Sequence, residues 1–419
     1  MNYEKIEIKK GINVHQIKTN KFKTNLLAIF LNVPLNRETV TKNALISAIL
    51  RRGTKNMPSQ DVISENLEEM YGASFDCGIE KNGDIHTLKF YLESLDDEFL
   101  PKKEELLKKS FDIITDIAFN PYIEAGKFKE EYFNGEKENL KQIIEGKIDN
   151  KAMYAMDRCI EEMYKNKAYG LYKYGYIEDL EKITAEDLYK YFEQLIENCK
   201  IDIFISGNLN KDIIEIVKQN ENIQRLKERN IELISEEKEI VEKEKVIQES
   251  MDITQGKLVI GMDVDSNIDN LNYITMCYNT ILGGGANSKM FQNVREKASL
   301  AYTVGSNYLK RKQNIMIRAG IEIENYQKAL DIIKVQLEDM KNGNFTAEDL
   351  QNAKNLILAT IDNIKEEQDT EISYYFGQEI AGTNISIDEY KNKVNAVTKE
   401  QIIEIAKNIK INTIYFLKN

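Results

Sequence analysis

Histidine, which often binds zinc or acts as a base near neutral pH, occurs only twice in the 419 residues, as His15 and His86. Both lie in strand-like runs, and neither has a second ligand at the spacing that places two metal ligands on one helix face. No Ser/His/Asp or Cys/His arrangement offers an activated nucleophile instead. The residues therefore predict ordinary structural or surface histidines and no zinc hydrolysis by this chain alone.

The four cysteines are far apart and form no C-x-x-C pair: Cys77, Cys159, Cys199 and Cys277. This spacing excludes a zinc ribbon and a dithiol redox site, and unpaired thiols fit a reducing cytoplasm. Each cysteine is expected to be a small buried apolar residue. The sequence also has no Walker A motif and no G-x-G-x-x-G after a strand, so unrelated nucleotide chemistry has no motif to support it.

Composition limits the class of protein. Hydrophobic residues make up 42% and charged residues 30%, which is typical of a soluble globular protein. A net charge of −12 argues against general nucleic-acid binding. There is no stretch of about 18–20 apolar residues for a membrane span, and the start Met1-Asn-Tyr-Glu shows no basic and apolar signal pattern. We expect a cytoplasmic protein that contacts neither membrane nor nucleic acid.

The sequence contains an internal repeat. The apolar run 26–33 matches the run 257–264 after a shift of 231 positions. Other landmarks match at the same shift: Gly53-Thr54 with Gly284-Gly285, Tyr71 with Tyr302, and 89–94 with 320–325. Each half shows a strand, a helix, a glycine-containing turn, a helix and a strand pair, which indicates two copies of one unit.

The elements predict an α+β fold of two homologous units, each a mostly antiparallel sheet with helices packed on one face. Helices are predicted over 101–118, 122–147, 149–164 and 185–197, and closing strands over 200–206 and 412–417. Lys81-Asn-Gly-Asp84 predicts a hairpin turn, and Thr398-Lys-Glu-Gln a capping box. The predicted domains are 1–219, a charged connector over 220–250, and 251–419.

The segment 43–54, Asn43-Ala-Leu-Ile-Ser-Ala-Ile-Leu-Arg-Arg-Gly-Thr54, resembles the zinc-binding start of the insulinase/pitrilysin peptidases. Active members of that family carry H-x-x-E-H on a helix before a basic-Gly-Thr turn, and a further glutamate on a later helix. The resemblance puts Ala44 and Ala48 at the histidine positions and Ser47 at the glutamate position. Counting seven residues from Glu136 puts Ile143 at the later ligand. The resemblance thus implies a degenerate zinc site, with no cofactor in this chain.

A second segment, 281–302, resembles the second-domain motif of active family members, in which an arginine and a tyrosine seven residues apart hold the substrate. Arg295 and Tyr302 match this pair, and a guanidinium and a phenol can donate hydrogen bonds to a peptide carbonyl and its oxyanion. The alternative is a surface ion pair and a core tyrosine. Gly283, Gly284 and Gly285 match the glycine-rich substrate loop of the non-catalytic mitochondrial subunit, or form an ordinary turn between helices.

The resemblance covers nearly the whole chain and implies a function. Some bacterial members divide the active site between two proteins that assemble as a clamshell heterodimer. This chain is then the non-catalytic, substrate-handling subunit, supplying Arg295 and Tyr302 to a paralogue that carries H-x-x-E-H and zinc. The substrate would be a peptide or small protein. Within the family it is similar to the cytoplasmic zinc-less members associated with modification of elongation factor P. The alternative is a catalytically dead peptide-binding or scaffold protein of the same fold.

Overall fold

The computed structural model describes residues 2–102, 104–209, 213–233, 236 and 243–419. Its helices are α1 Arg37–Ile49, α2 Gln60–Glu69, α3 Leu106–Phe119, α4 Glu130–Glu145, α5 Lys151–Met163, α6 Ile177–Leu180, α7 Ala185–Asn198, α8 Ile213–Gln219, α9 Glu221–Arg225, α10 Leu271–Gly283, α11 Tyr326–Lys341, α12 Ala347–Asp362, α13 Gln368–Ala381, α14 Ile387–Asn395 and α15 Lys399–Lys407. Its strands are β1 Tyr3–Lys9, β2 Ile12–Lys18, β3 Thr24–Pro34, β4 Ser74–Asn82, β5 Ile85–Leu95, β6 Ile123–Glu124, β7 Lys127–Phe128, β8 Lys200–Gly207, β9 Lys245–Ser250, β10 Gly256–Val264, β11 Ala301–Leu309, β12 Asn314–Ile321 and β13 Ile409–Lys418.

The first unit is built around a six-stranded sheet of order β1-β2-β8-β3-β5-β4. Only the β2–β8 pair is parallel. The central strand β3 is buried from Asn25 to Val33, because its apolar run faces packed residues on both sides of the sheet. Leu27 and Ile29 join the core formed with the helices, and Phe30 points to the opposite face.

The second unit has a five-stranded sheet of order β11-β12-β10-β13-β9, in which only β13–β9 is parallel. This order and these directions reproduce the series β4-β5-β3-β8-β2 of the first sheet. The predicted duplication is therefore confirmed at the level of topology, and β1 is the strand without a counterpart. The predicted fold class, two α+β units with mostly antiparallel sheets and packed helices, is confirmed as well.

The two compact units are each discontinuous in sequence. The first comprises Met1–Gly146, Leu171–Glu236 and Glu367–Phe376, and the second comprises Lys147–Gly170, Glu237–Glu366 and Gly377–Asn419. Within the second unit α5 packs on β10 and β13; within the first, Phe376 stacks on Phe30 at 4.1 Å between ring centroids. Each sheet thus has a helical segment from the other half of the sequence on its second face. The continuous ranges 1–219, 220–250 and 251–419 stay a prediction.

Local signals explain most element boundaries. Thr398 forms the predicted capping box with Gln401 at the start of α15, and Gly83, with φ of 62°, follows Asn82 in the turn between β4 and β5. The helix predicted over 122–147 begins only at Glu130. The residues before it form the short β6–β7 hairpin, whose turn holds Ala125 and Gly126 at positive φ.

The predicted connector is partly regular. Residues 221–225 form α9, and residues 245–250 form β9, which pairs with β13. Residues 234–235 and 237–242 of the charged run lie outside the described residues. The strand was not predicted, because it has only two apolar residues, Val246 and Ile247, in a segment rich in Glu and Lys.

Candidate functional site

The first unit contains a cavity of about 470 Å³ where α1 faces β4 and α4. All four positions predicted to mark the degenerate zinc site line this cavity. Its lining is Ala44, Ser47, Ala48, Arg51, Arg52, Gln60, Cys77, Gly78, Ile79, Glu136, Asn139, Leu140, Ile143 and Tyr174. The structure therefore brings the four positions together, and their identity as the positions of a former zinc site stays a prediction.

Helix geometry explains why three of the four positions meet. Ala44, Ser47 and Ala48 are separated by three and four residues in α1, so their side chains lie on one face about one turn apart. The helix begins with Asn36, whose side chain accepts a hydrogen bond of 2.7 Å from the Glu38 amide. Ile143, on α4, reaches the same cavity from the facing helix.

The donor groups at the cavity do not fit a zinc ion. Alanine and isoleucine side chains carry no ligand atom, and Glu136 is buried in an ion pair with Arg52 while accepting a hydrogen bond of 3.3 Å from Asn139. The Cys77 thiol donates to the Ser47 carbonyl at 3.4 Å. Burial raises its pKa to about 12, an increase that the positive charge of Arg51 only partly offsets, so the thiolate needed for metal binding is scarce at neutral pH.

Two features of the cavity were not predicted from the sequence. Arg51 lines it from the exposed end of the turn after α1, and among the described residues it has no hydrogen-bond or ion-pair partner. Ile143 is 46% exposed although it is a large apolar side chain beside the cavity. In the sequence, only the basic pair before Gly53 draws attention to Arg51. Cys77 reaches the cavity because β4 packs against α1, and a contact between elements so distant in sequence leaves no local pattern.

The two histidines are buried in strands of the first unit, away from the cavity lining. His15 lies in β2, with Nε2 3.0 Å from an Asp202 carboxylate oxygen and Nδ1 2.8 Å from the Tyr3 hydroxyl. Burial alone would raise the pKa of Asp202, but hydrogen bonds from His15 and Asn13 and the charge of Lys200 lower it. An ordinary structural role for His15 stays a prediction.

His86 lies in β5 and is fully buried. Its Nδ1 is 3.2 Å from the side-chain nitrogen of Asn43 on α1. Burial lowers the pKa of His86 to about 4, so the ring is neutral near pH 7. It therefore ties β5 to α1 as a structural residue.

In the second unit, Arg295 lies in the π-helical segment Phe291–Lys297 and Tyr302 at the start of β11. The π-helical segment ends in a turn in which the Leu300 amide donates to the Val294 carbonyl at 3.1 Å. Ser299 takes φ of 53° in this turn, a conformation that costs on the order of 1 kcal/mol for a non-glycine residue. π-Helical turns and non-glycine residues with positive φ are both found more often at functional sites than elsewhere.

Both side chains of the predicted pair are exposed. Arg295 has 44% of its side chain exposed and packs over the Phe291 ring at 4.6 Å. Tyr302 is 61% exposed, and its hydroxyl donates to Glu322, which raises the pKa of Tyr302. Tyr302 is therefore not the core tyrosine of the alternative, whereas Arg295 does form a surface ion pair, with its Nε 3.8 Å from a Glu296 carboxylate oxygen. The pairing of the two residues in substrate binding stays a prediction.

Gly283, Gly284 and Gly285 differ in how much room their neighbours leave for a side chain. A Cβ on Gly283 would lie 2.5 Å from Ser306 Oγ, and one on Gly284 would lie 2.6 Å from Thr280 Cα. Both positions thus need glycine for close packing within the second unit. A Cβ on Gly285 would meet only Leu356, at 3.5 Å. Packing explains the first two glycines, and a substrate-loop role stays a prediction.

All four cysteines are free thiols, and Cys159, Cys199 and Cys277 are buried. In the described part of the chain, no helix combines the length and the apolar character needed to cross a membrane.

Comparisons with known proteins identify relatives over the whole chain and over parts of it. The family model described as "Peptidase M16 inactive domain" matches residues 182–357. The chain is 34% identical to "Probable inactive metalloprotease YmfF" of Bacillus subtilis (strain 168), over 97% of this chain and 96% of that protein. It is 23% identical to "Uncharacterized zinc protease YmxG" of the same organism, over 73% of each.

The fold also has a solved relative. The crystal structure of a conserved protein from Enterococcus faecalis V583 superposes with a TM-score of 0.91 at 28% identity, and the match covers 100% of this chain and 99% of that one. The chain therefore belongs to the M16, or insulinase/pitrilysin, peptidase family, as a zinc-less member.

Proposed function

We propose that this chain is the non-catalytic, substrate-handling subunit of a heterodimeric M16 zinc peptidase that assembles in the cytoplasm. Its partner is a paralogue with H-x-x-E-H, and zinc is bound by that partner alone. The proposal depends on one observation: Arg295 and Tyr302 are both exposed, at the motif spacing, across a strained helix-to-strand turn.

The chemistry of the pair suits a peptide substrate. A guanidinium and a phenol both donate hydrogen bonds, and such donors stabilise a peptide carbonyl as negative charge develops on its oxygen. In the free chain the Tyr302 hydroxyl donates to Glu322. Because both of these residues are exposed, the bond costs little to exchange for one to a substrate.

The partnership is tested by purifying the tagged chain from its native cytoplasm and assaying the bound material for peptidase activity. We expect recovery of an H-x-x-E-H paralogue and cleavage that a zinc chelator abolishes. Recovery without any such paralogue, and without cleavage, would favour the alternative of a peptide-binding or scaffold protein.

The roles of the two residues are tested in the reconstituted complex. Arg295→Ala or Tyr302→Phe should lower peptidase turnover by about ten-fold or more, the scale expected for one oxyanion donor. Tyr71→Phe is a matched control, since Tyr71 occupies the equivalent repeat position, is exposed and also donates to a glutamate, Glu104. Arg225→Ala controls for the loss of one exposed guanidinium.

Both control variants are expected to keep normal turnover. If Arg295→Ala and Tyr302→Phe also left turnover unchanged while the complex still formed, the substrate-handling role would be wrong, and the two residues would be ordinary surface groups.

A further inference from the structure

The cavity beside α1 has the size and lining of a ligand site. Its volume of about 470 Å³ falls in the range of about 300–1,000 Å³ that is usual for small-molecule pockets. Ala44 and Ala48 leave room beside the helix, and Ile79, Leu140 and Ile143 add apolar surface. An apolar side chain of modest size would fill this space and cover the exposed part of Ile143.

The charge at the cavity is positive and localised. Glu136 is neutralised by Arg52 and hydrogen-bonded by Asn139. Arg51, in contrast, has no ion-pair or hydrogen-bond partner among the described residues, and its charge acts on Cys77 inside the cavity. A guanidinium in this position favours a carboxylate, which it can bind through two parallel hydrogen bonds.

One peptide residue combines both features. An internal apolar residue would fill the cavity but leave Arg51 without a partner, and an acidic side chain would bind Arg51 but leave the apolar surface uncovered. The last residue of a peptide carries an apolar side chain and a free carboxylate on the same Cα. We propose that this cavity binds the C-terminal residue of a peptide, with its apolar side chain beside Ala44 and Ala48 and its carboxylate on Arg51.

This inference extends the proposed function, because a subunit that handles peptide substrates meets the new C-termini that cleavage produces. The cavity belongs to the first unit, whereas Arg295 and Tyr302 belong to the second. We therefore expect the isolated chain to bind the peptide in the absence of the partner subunit, of zinc and of turnover.

The test uses fluorescence anisotropy of the purified full chain with a fluorescein-labelled pentapeptide, Gly-Ser-Gly-Ser-Leu. The peptide is compared as the free acid and as the C-terminal amide. We expect the acid to bind about three- to five-fold more tightly, which is the scale of one ion pair to an exposed arginine. Arg51→Ala should remove this preference, and Arg225→Ala, which changes an exposed arginine elsewhere in the first unit, should retain it.

A second variant examines the apolar part of the site. Ala48→Phe should fill the cavity and weaken binding of both peptides by about ten-fold or more, with circular dichroism showing that the chain is folded. Arg51 is exposed, so Arg51→Ala remains informative if Ala48→Phe does not fold. Equal affinity for acid and amide, a preference that survives Arg51→Ala, or no binding of either peptide would each overturn the inference.

The outcome is separable from the test of the proposed function. Loss of peptide binding with Arg51→Ala is measured on the chain alone, whereas the effects of Arg295→Ala and Tyr302→Phe are measured as turnover of the complex. A negative result in the peptide-binding test does not contradict the proposed function, and a negative result in the turnover test does not contradict peptide binding.

Discussion

Ala44 and Ala48 change the chemistry of α1 without weakening it as a helix. Alanine has the highest helix propensity of all residues, and Ala44 is buried against the core of the first unit. Around them, Arg52 pairs with Glu136 and the Cys77 thiol donates to the Ser47 carbonyl. The fold therefore contains the cavity, but the side chains that line it do not fit a metal ion.

From this donor set we predict that the purified chain contains less than about 0.1 zinc per molecule, because a zinc site requires three or four ligand atoms. Metal analysis by inductively coupled plasma mass spectrometry after dialysis measures the content directly. A content near one zinc per chain would show that a site exists elsewhere in the protein.

The matched variant restores the three ligand positions as Ala44→His, Ala48→His and Ile143→Glu, and the position of the base as Ser47→Glu. If these positions are equivalent to the family's ligands, this variant should bind about one zinc per chain. Zinc uptake that does not depend on Ile143→Glu would place the later ligand position at a neighbouring residue of α4.

The grouping of Ala44, Ser47 and Ala48 was predictable from the sequence, because helical spacing alone puts them on one face. The placement of Ile143 in the same cavity followed only from the family resemblance, since it depends on how α4 packs against α1. Cys77 and Arg51 were missed for the same reason. Contacts between elements that are distant in sequence leave no local pattern.

At the scale of elements, apolar runs and capping motifs predicted most of the structure. The strand β3 and the helix α15 were identified because burial and capping leave strong local signals. The strand β9 was not, because its partly buried residues include the charged Lys245 and Glu249, and the apolar Val246 is exposed. Its place beside β13 is decided by the repeat, in which it is the counterpart of β2.

The polar contacts of Glu249 on β9 hold α5 to the second sheet. Its carboxylate accepts hydrogen bonds from Tyr154 at 2.5 Å, from Tyr415 at 2.7 Å and from Arg158 at 3.2 Å. Burial alone would raise the pKa of Glu249, but these three donors lower it. The ionised form is therefore the one that stabilises the packing of α5.

We predict that Glu249→Gln lowers the free energy of unfolding by about 1–2 kcal/mol at pH 7, the usual worth of hydrogen bonds to a charged group, and lowers Tm by about 3 °C. Because the pKa is depressed in the folded state, this contribution is present above the unfolded pKa of about 4.3 and is lost as the pH falls through the folded value. Thermal melts of wild type and variant should therefore converge only once the pH has fallen below the depressed pKa of the folded state.

The control for this experiment is Glu244→Gln, which removes an exposed ion pair with Lys334. Exposed pairs contribute little, so this variant should melt within about 1 °C of wild type. A Glu249→Gln chain as stable as wild type at pH 7 would mean that apolar contacts alone hold α5.

At the scale of the whole molecule, the duplication was visible in the sequence as one constant shift, but the assignment of segments to units was not. The shift compares residues within like elements and carries no information about which sheet a helix covers. The region 147–170, including α5, belongs to the second unit, and Glu367–Phe376 belongs to the first. The packing of Met156, Cys159 and Ile160 with Val259 and Tyr415 decides the first of these assignments.

The assignment of Glu367–Phe376 to the first unit depends on side-chain contacts with that unit's strands. In the first unit the Gln368 side chain donates to the Ser206 carbonyl at 3.0 Å and to the Thr24 carbonyl at 3.2 Å. Tyr375 stacks on Tyr3 at 4.0 Å between ring centroids. Removing these residues would expose the second face of the first sheet, including Phe30.

This division leads to a prediction about the chain cut after residue 236. Residues 1–236 would lack the segment that covers the first sheet, and residues 237–419 would lack α5. Each fragment expressed alone should therefore aggregate or bind the dye ANS, because a large apolar surface stays exposed. Co-expressed fragments should instead co-purify as a one-to-one complex with the far-ultraviolet circular dichroism of the intact chain. Two fragments that each unfold cooperatively on their own would show that neither unit needs the segment contributed by the other half.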